Sequence, residues 1–305
     1  MTNFKGFASL VLAAAAVITT VSAETRCPGN VASVPLKIVN RHQIILGVSI
    51  NHSGPYSFLL DTGTQITMVD PSLAAELHLS TQGAANVISS AGSYTSASYV
   101  QVELLEAGSH AVANQTALVY DLKNLNSANR PIRGVLGEDF LGRFDMLIDN
   151  AHSLLCLDDS ATMRANVRGP RIALDTSAQS ADSQPLPGQF IVAVRISHGA
   201  RPVRLKLDSG SNVSLLYNVS QFMTPVLPQA ALLLETGVDG AQNAFSALPP
   251  QDVKIGALYL SGVLFFIPRG TGAHANMAED GVLPTGLFRR VFIDHVNHFA
   301  VLDPW

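Results

Sequence analysis

The chain says the same thing twice, and that repeat restricts its fold more than any other feature. Residues 61-DTGTQITMV-69 and 208-DSGSNVSLL-216 match in kind at all nine positions. Gly134-Val135-Leu136 begins 73 residues after Asp61, and Gly281-Val282-Leu283 begins 73 residues after Asp208. The tails match too, 144-FDMLIDNAHSLLCLDD-159 against 291-VFIDHVNHFAVLDP-304. Each Asp follows an alternating apolar run, 43-QIILGVSI-50 or 190-FIVAVRIS-197, and then turn material, 51-NHSGP-55 or 198-HGARP-202. One D-[ST]-G-[ST] arises by chance in a chain of this size at a rate on the order of a per cent or two, from average residue usage. A strand end followed by a turn explains one copy. It does not explain two copies at equal offset from two G-V-L copies, so the chain reads as two similar halves.

Runs of apolar and β-branched residues alternate with Gly, Pro, Asn and Ser turns, which predicts a strand-dominated chain. The one well-signalled helix is 71-PSLAAELHL-79, with Asp70 as N-cap and Pro71 at the first helical position. A second, shorter helix is predicted at 138-EDFLGRF-144. Segment 161–189, rich in Ser, Ala, Pro and Gln, reads as a connection holding one strand at 171–174. The predicted organisation is a first lobe over 24–160, this connection, and a second lobe over 190–305.

An ionised carboxylate at the end of an apolar strand is costly unless something meets it there. Two of them on matching loops of matching lobes can meet on a pseudo-twofold axis. At about 3 Å they cannot both ionise and share one proton. One then acts as base and the other as acid on a water held between them. The neighbouring residues suit that task. Gly63 and Gly210 allow two backbones to approach closely at the axis. The hydroxyls of Thr64 and Ser211 can donate to the carboxylates, and those of Thr62 and Ser209 can bond across the axis.

With these residues in view, the chain resembles the aspartic proteases. In particular, 59-LLDTGTQITMVDPSLAAELHL-79 resembles bacterial retropepsin-like domains, and two such domains are fused as in bilobal pepsin-like enzymes. The resemblance covers roughly 34–159 and 170–304. It implies an all-β bilobal acid-protease fold: two similar closed, barrel-like lobes, an interlobe cleft and few short helices. It implies an endopeptidase that binds peptide or protein in extended conformation, with no metal or other cofactor. Carried over position by position, the catalytic pair is Asp61 and Asp208, supported by Thr62, Gly63, Thr64, Ser209, Gly210 and Ser211. The family's flaps correspond to 87–102, with Gly92 at the tip and Tyr94 beside it, and to 234–245, with Gly240 at the tip.

The second half departs from the pattern at three places, one of them a tail after Pro284 that is two residues shorter than the one after Gly137. Pro284 stands where the first half has Gly137, which removes an N–H and predicts a different loop behind Asp208. Lys206 stands where the first half has Leu59. Strand alternation puts it on the side of Asp208, and its long stem is expected to carry the ammonium out to solvent. These departures keep a second reading open, a non-catalytic peptide-binding protein on the same scaffold.

Residues 1–23 read as an export signal: Lys5, the apolar run 10-LVLAAAAVITTV-21, and small residues Val21-Ser22-Ala23 at the cleavage site. The expected destination is the periplasm or the exterior, without a stable membrane anchor, as a monomer. In an oxidising compartment Cys27 and Cys156 either form one disulfide or stand as two separate thiols. The formal charge of −4, without a basic cluster, excludes a nucleic-acid footprint. No His-Glu-x-x-His, Gly-x-Ser-x-Gly or phosphate-binding glycine loop occurs.

Overall fold

A computed structural model describes residues 26–39, 43–88, 94–125, 131–175, 179–181, 184–186, 188–217, 219–221, 232–236, 242–269 and 277–305. The expected export segment 1–23 lies outside them. Strands dominate, and the helices are short. Among the described residues no helix is long and apolar enough to cross a membrane.

The two halves build the same sheet. In the first, the Asp61 strand, Ser53–Leu60, lies between Gln43–Ile50, to which it is antiparallel, and Gly134–Leu136, to which it is parallel. Next come Met68–Val69, His110–Val119, Tyr94–Ala107 and Thr81–Ile88. In the second, the Asp208 strand, Val203–Asp208, lies between Ile191–Ile196 and Gly281–Pro284 in the same senses. Next come Ser214–Leu216, Phe265–Pro268, Gln242–Ala247 and Leu232–Thr236. A parallel neighbour cannot be reached by a hairpin. The 73-residue interval between each Asp and its G-V-L is therefore the chain that makes the crossover.

The lobes close differently. The 14-residue strand Tyr94–Ala107 bends far enough to pair again with Gln43–Ile50, at Val48↔Ala107, and so completes a barrel. In the second lobe Pro249-Pro250 interrupts the corresponding strand, because proline has no N–H to give the ladder. The path resumes at Gln251–Ile255, which pairs with Ile191–Ile196. Gln251 is fully buried at this break; its amide donates to Pro249 O and its carbonyl accepts from Ser197 Oγ.

The lobes join through the matching tails. Asp145–Asp149 pairs antiparallel with Phe288–Asp294, with Leu147 opposite Phe292. Arg164, on the short helix Thr162–Asn166, contacts Asp145 of the first half and Asp294 of the second, at 2.7 and 2.9 Å. The connecting segment is thus partly built into the interface: Met163 is buried, and Ile172–Ala173 pairs with the last strand, Phe299–Pro304. Cys27 and Cys156 are disulfide-bonded, with Cα atoms 5.7 Å apart, beside Leu147, Met163, Phe292 and Phe299.

The first predicted helix is shorter than its sequence pattern, Pro71–Glu76. Asp70 caps it by accepting from Ser72 N–H, and Leu73 and Ala74 face the core. His78, at φ +53, leaves the helical path. The second runs over Glu138–Leu141, starting at the Gly137 corner.

Candidate active site

Asp61 and Asp208 stand at the ends of the two central strands, and their loops pack against each other. A Cβ added at Gly63 would lie 2.3 Å from Asp208 Oδ2, and one added at Gly210 would lie 2.5 Å from Asp61 Cγ. No side chain fits at either glycine, so each carboxylate rests directly on the other lobe's backbone. The two carboxyls are within hydrogen-bonding reach of each other.

Two hydroxyls tie the lobes together in a reciprocal pattern. Thr62 Oγ1 donates to Leu207 O at 2.9 Å and accepts from Ser209 N at 2.9 Å. Ser209 Oγ donates to Leu60 O at 2.9 Å and accepts from Thr62 N at 3.0 Å. Both residues are buried. Each hydroxyl thus satisfies one N–H and one C=O that no water reaches. Replacing Thr62 by Val keeps the shape and orphans both backbone groups. At about 1–3 kcal/mol per orphaned group, Thr62→Val is expected to cost roughly 2–6 kcal/mol. Urea unfolding followed by circular dichroism measures it, and an unchanged midpoint would show that the pattern does not hold the lobes.

The loops orient their own carboxylates less symmetrically than their sequences. Asp61 accepts from Gly63 N–H and Thr64 Oγ1, both at 2.8 Å. Asp208 accepts from the N–H groups of Gly210 and Ser211, at 2.8 and 3.0 Å. The Ser211 hydroxyl does not reach Asp208. It donates to Val213 O instead.

The cause lies behind the loops. Gly137 fits against the Asp61 loop so closely that an added Cβ would lie 2.9 Å from Thr64 O. The N–H groups of Gly137, Glu138 and Asp139 donate to Thr67 Oγ1, Thr64 O and Gln65 O. Pro284 has no N–H for the first of these contacts, and a single 3-10 turn, Thr285–Leu287, follows it where the first lobe has a helix.

The expectation for Lys206 is overturned. Its side chain is buried, and Nζ donates across the lobe boundary to Gly63 O at 3.1 Å and lies 3.5 Å from Glu279 Oε1. Its strand is covered on both faces, which leaves the stem no route to water, and Glu279, itself buried, supplies the opposite charge.

The Asp208 carboxyl holds its proton more firmly than an ordinary aspartate. Burial, and then the Asp61 charge beside it, push the Asp208 carboxyl up to about 7, while Lys206 pulls it down. Three further buried groups surround the site that the sequence motifs did not single out. Burial drives Glu138 well above the usual carboxylate range, with Asp139 and Asp61 adding to the effect. Burial raises Asp139 to about 6 against the opposing bonds from Thr67. The Tyr217 phenol is raised by burial and then by Glu279 and Asp208. The available signal was position: Glu138-Asp139 directly follow the first G-V-L-G, and Glu279-Asp280 directly precede the second G-V-L.

Each flap candidate belongs to a hairpin whose tip lies outside the described residues. Thr81–Ile88 pairs with Tyr94–Ala107 up to Ile88↔Tyr94, and Leu232–Thr236 pairs with Gln242–Ala247 up to Thr236↔Gln242. Gly92, Gly240 and the Tyr94 side chain are not among the described positions.

Residues 41–140 match the aspartyl protease family model, a stretch that holds the Asp61 loop, its crossover and the first G-V-L-G. No curated protein matches the chain. Among solved structures the chain is similar to a retropepsin-like aspartic protease from Rickettsia conorii, at 16% identity and a TM-score of 0.30, over 42% of this chain and 90% of that one. By this match, residues 41–140 are similar to the aspartyl protease family, which supports an aspartic-type peptidase.

Proposed function

We propose that the chain is an exported aspartic endopeptidase whose two lobes each contribute one carboxyl to a single catalytic dyad, Asp61 and Asp208. The observation that carries this reading is the reciprocal seating of each carboxylate on the other loop's glycine. A water held by the dyad loses a proton to the ionised carboxylate and attacks the scissile carbonyl carbon. The protonated carboxyl gives its proton to the carbonyl oxygen, which forms a neutral tetrahedral diol. Collapse of the diol breaks the C–N bond as the amine takes the proton that water gave to the first carboxyl, while one diol hydroxyl returns its proton to the second. A retropepsin-like domain alone supplies one such loop, whereas this chain repeats the loop with its crossover and hydroxyl pattern. The strand pairs Thr81–Ile88 with Tyr94–Ala107 and Leu232–Thr236 with Gln242–Ala247 support a reading of the two hairpins as lids over an extended peptide. Gly92 and Gly240 are the proposed tips, with Tyr94 beside the first.

Three observations support export, as a monomer, into an oxidising compartment. They are the apolar N-terminal segment, the Cys27–Cys156 disulfide, and the presence of both lobes in one chain.

The pH dependence follows from the raised Asp208 carboxyl. A group whose folded pKa exceeds its unfolded value stabilises the fold most below the unfolded pKa, and that contribution is lost as pH rises through the folded pKa. For Asp208 that window runs from 3.8 to about 7. The proton lost at its upper end is also the one the reaction needs. Peptidase activity is therefore expected to hold through mild acid and to fall above about pH 7. The limb belongs to the pair rather than to one residue. A kcat/KM profile against pH on an internally quenched peptide measures it, and activity still rising at pH 9 would rule out the shared-proton mechanism.

A further inference from the structure

The buried ion pair behind the dyad has no counterpart in the first lobe. Leu59, at the position matching Lys206, packs in an apolar cluster with Ile45, Tyr120 and Val135. Lys206 is 6% exposed, and Glu279 is equally buried. Burying an ammonium and a carboxylate is costly even when they pair, and an apolar residue like Leu59 fills such a site without that cost. The location of the pair accounts for its presence. Nζ donates to Gly63 O, and Gly63 N–H donates to Asp61 Oδ1, so the second lobe reaches the first lobe's carboxylate in two steps. Lys206 also acts on Asp208, two residues along its own strand, and on Glu138. Its strand neighbours, Ile191 and Val282, carry no charge. The other titratable groups around it are Asp61 across the axis, Glu279 against Nζ, and Tyr217, which feels both Glu279 and Asp208.

Resting on the dyad reading, we propose that the Lys206–Glu279 pair is a positioning device for catalysis. It holds the Asp61 loop through Gly63, and it sets the charge against which the two carboxyls share their proton, and so the pH range of the peptidase. Lys206 touches neither substrate nor the attacking water in this role. Its charge opposes protonation of the dyad, and Glu279 moderates that charge. The two partners therefore have opposite effects on the falling limb of the pH profile.

The test compares wild type, Lys206→Met and Glu279→Gln as full mature chains, by kcat/KM from pH 4 to pH 9 on an internally quenched peptide. A parallel NMR titration follows the aspartate carboxyl carbons. Lys206→Met is expected to move the falling limb up by about one pH unit, the size of one close charge. Glu279→Gln, which leaves the ammonium unopposed, is expected to move it down. A merely structural role predicts lower activity with no displacement of the limb. Limbs coincident with wild type in both variants would overturn the proposal. If Lys206→Met does not fold, Glu279→Gln and its titration still decide, since only the charge role moves that limb down. Wild-type hydrolysis that survives Asp208→Asn would remove the dyad reading instead. The Asp208 titration in Lys206→Met would then still report whether the ammonium acts on that carboxyl.

Discussion

Asp208→Asn is expected to abolish peptide hydrolysis while leaving the chain folded, and Asp61→Asn is expected to do the same. Positioned proton transfer is worth about 10²–10⁴ in rate, and the proposed dyad would use both carboxyls in one step, so kcat/KM should fall by at least about 10³. Stability should not follow. Asp208 is buried and favours its neutral acid up to about pH 7, so a neutral amide of the same shape replaces little charge. The N–H bonds from Gly210 and Ser211 retain an oxygen acceptor in the amide. The measurement is cleavage of a mixed peptide library by both variants, with thermal unfolding as the control. Full activity in either variant would sink the shared-dyad mechanism. Complete inactivity of wild type at every pH, in a folded chain, would favour a peptide-binding role for this scaffold.

Removing the disulfide is expected to give the largest loss of stability of any single-side-chain change. Cys27 and Cys156 are 129 residues apart, so the bridge closes almost the whole first lobe. Loop-closure entropy for a loop of that length corresponds to about 4–5 kcal/mol in the unfolded chain. Cys156→Ala also removes a fully buried atom from the cluster of Leu147, Met163 and Phe292. Thermal unfolding of Cys27→Ala and Cys156→Ala should show a drop on the order of 10 °C, from the usual relation between stability and Tm for chains of this size. A change of less than a degree or two in both would mean that the bridge does not restrain the unfolded state. Peptidase activity below the transition should persist, because the bridge lies away from Asp61 and Asp208, under the paired tails.

The two lobes and the cross-axis hydroxyls of Thr62 and Ser209 were legible because each is a local signal stated twice. An Asp at the end of an apolar run, a glycine two residues later and a G-V-L at constant distance define the same supersecondary unit in both halves. The Asp70–Pro71 helix start was legible for the same reason, since a cap and its first turn are close in sequence. The burial of Lys206 was not. Side-chain alternation put Lys206 on the side of Asp208, but whether its head meets water depends on Glu279, 73 residues away, and on Gly63 in the other half. The role of Ser211 failed for a related reason. Its motif copies Thr64, but what its hydroxyl bonds depends on the backbone behind the loop, where Pro284 replaces Gly137.

The sequence by itself determined that two copies of one β unit, each ending in a carboxylate, must fold from this chain, because apolar periodicity, turns and repeat spacing act within each copy. Only the tertiary structure decided how unlike the copies are where they meet. The charge beside Asp208 and the bonds around each loop are set by groups distant in sequence and brought together by burial. In that dry interface each electrostatic contact counts for more than it would in water.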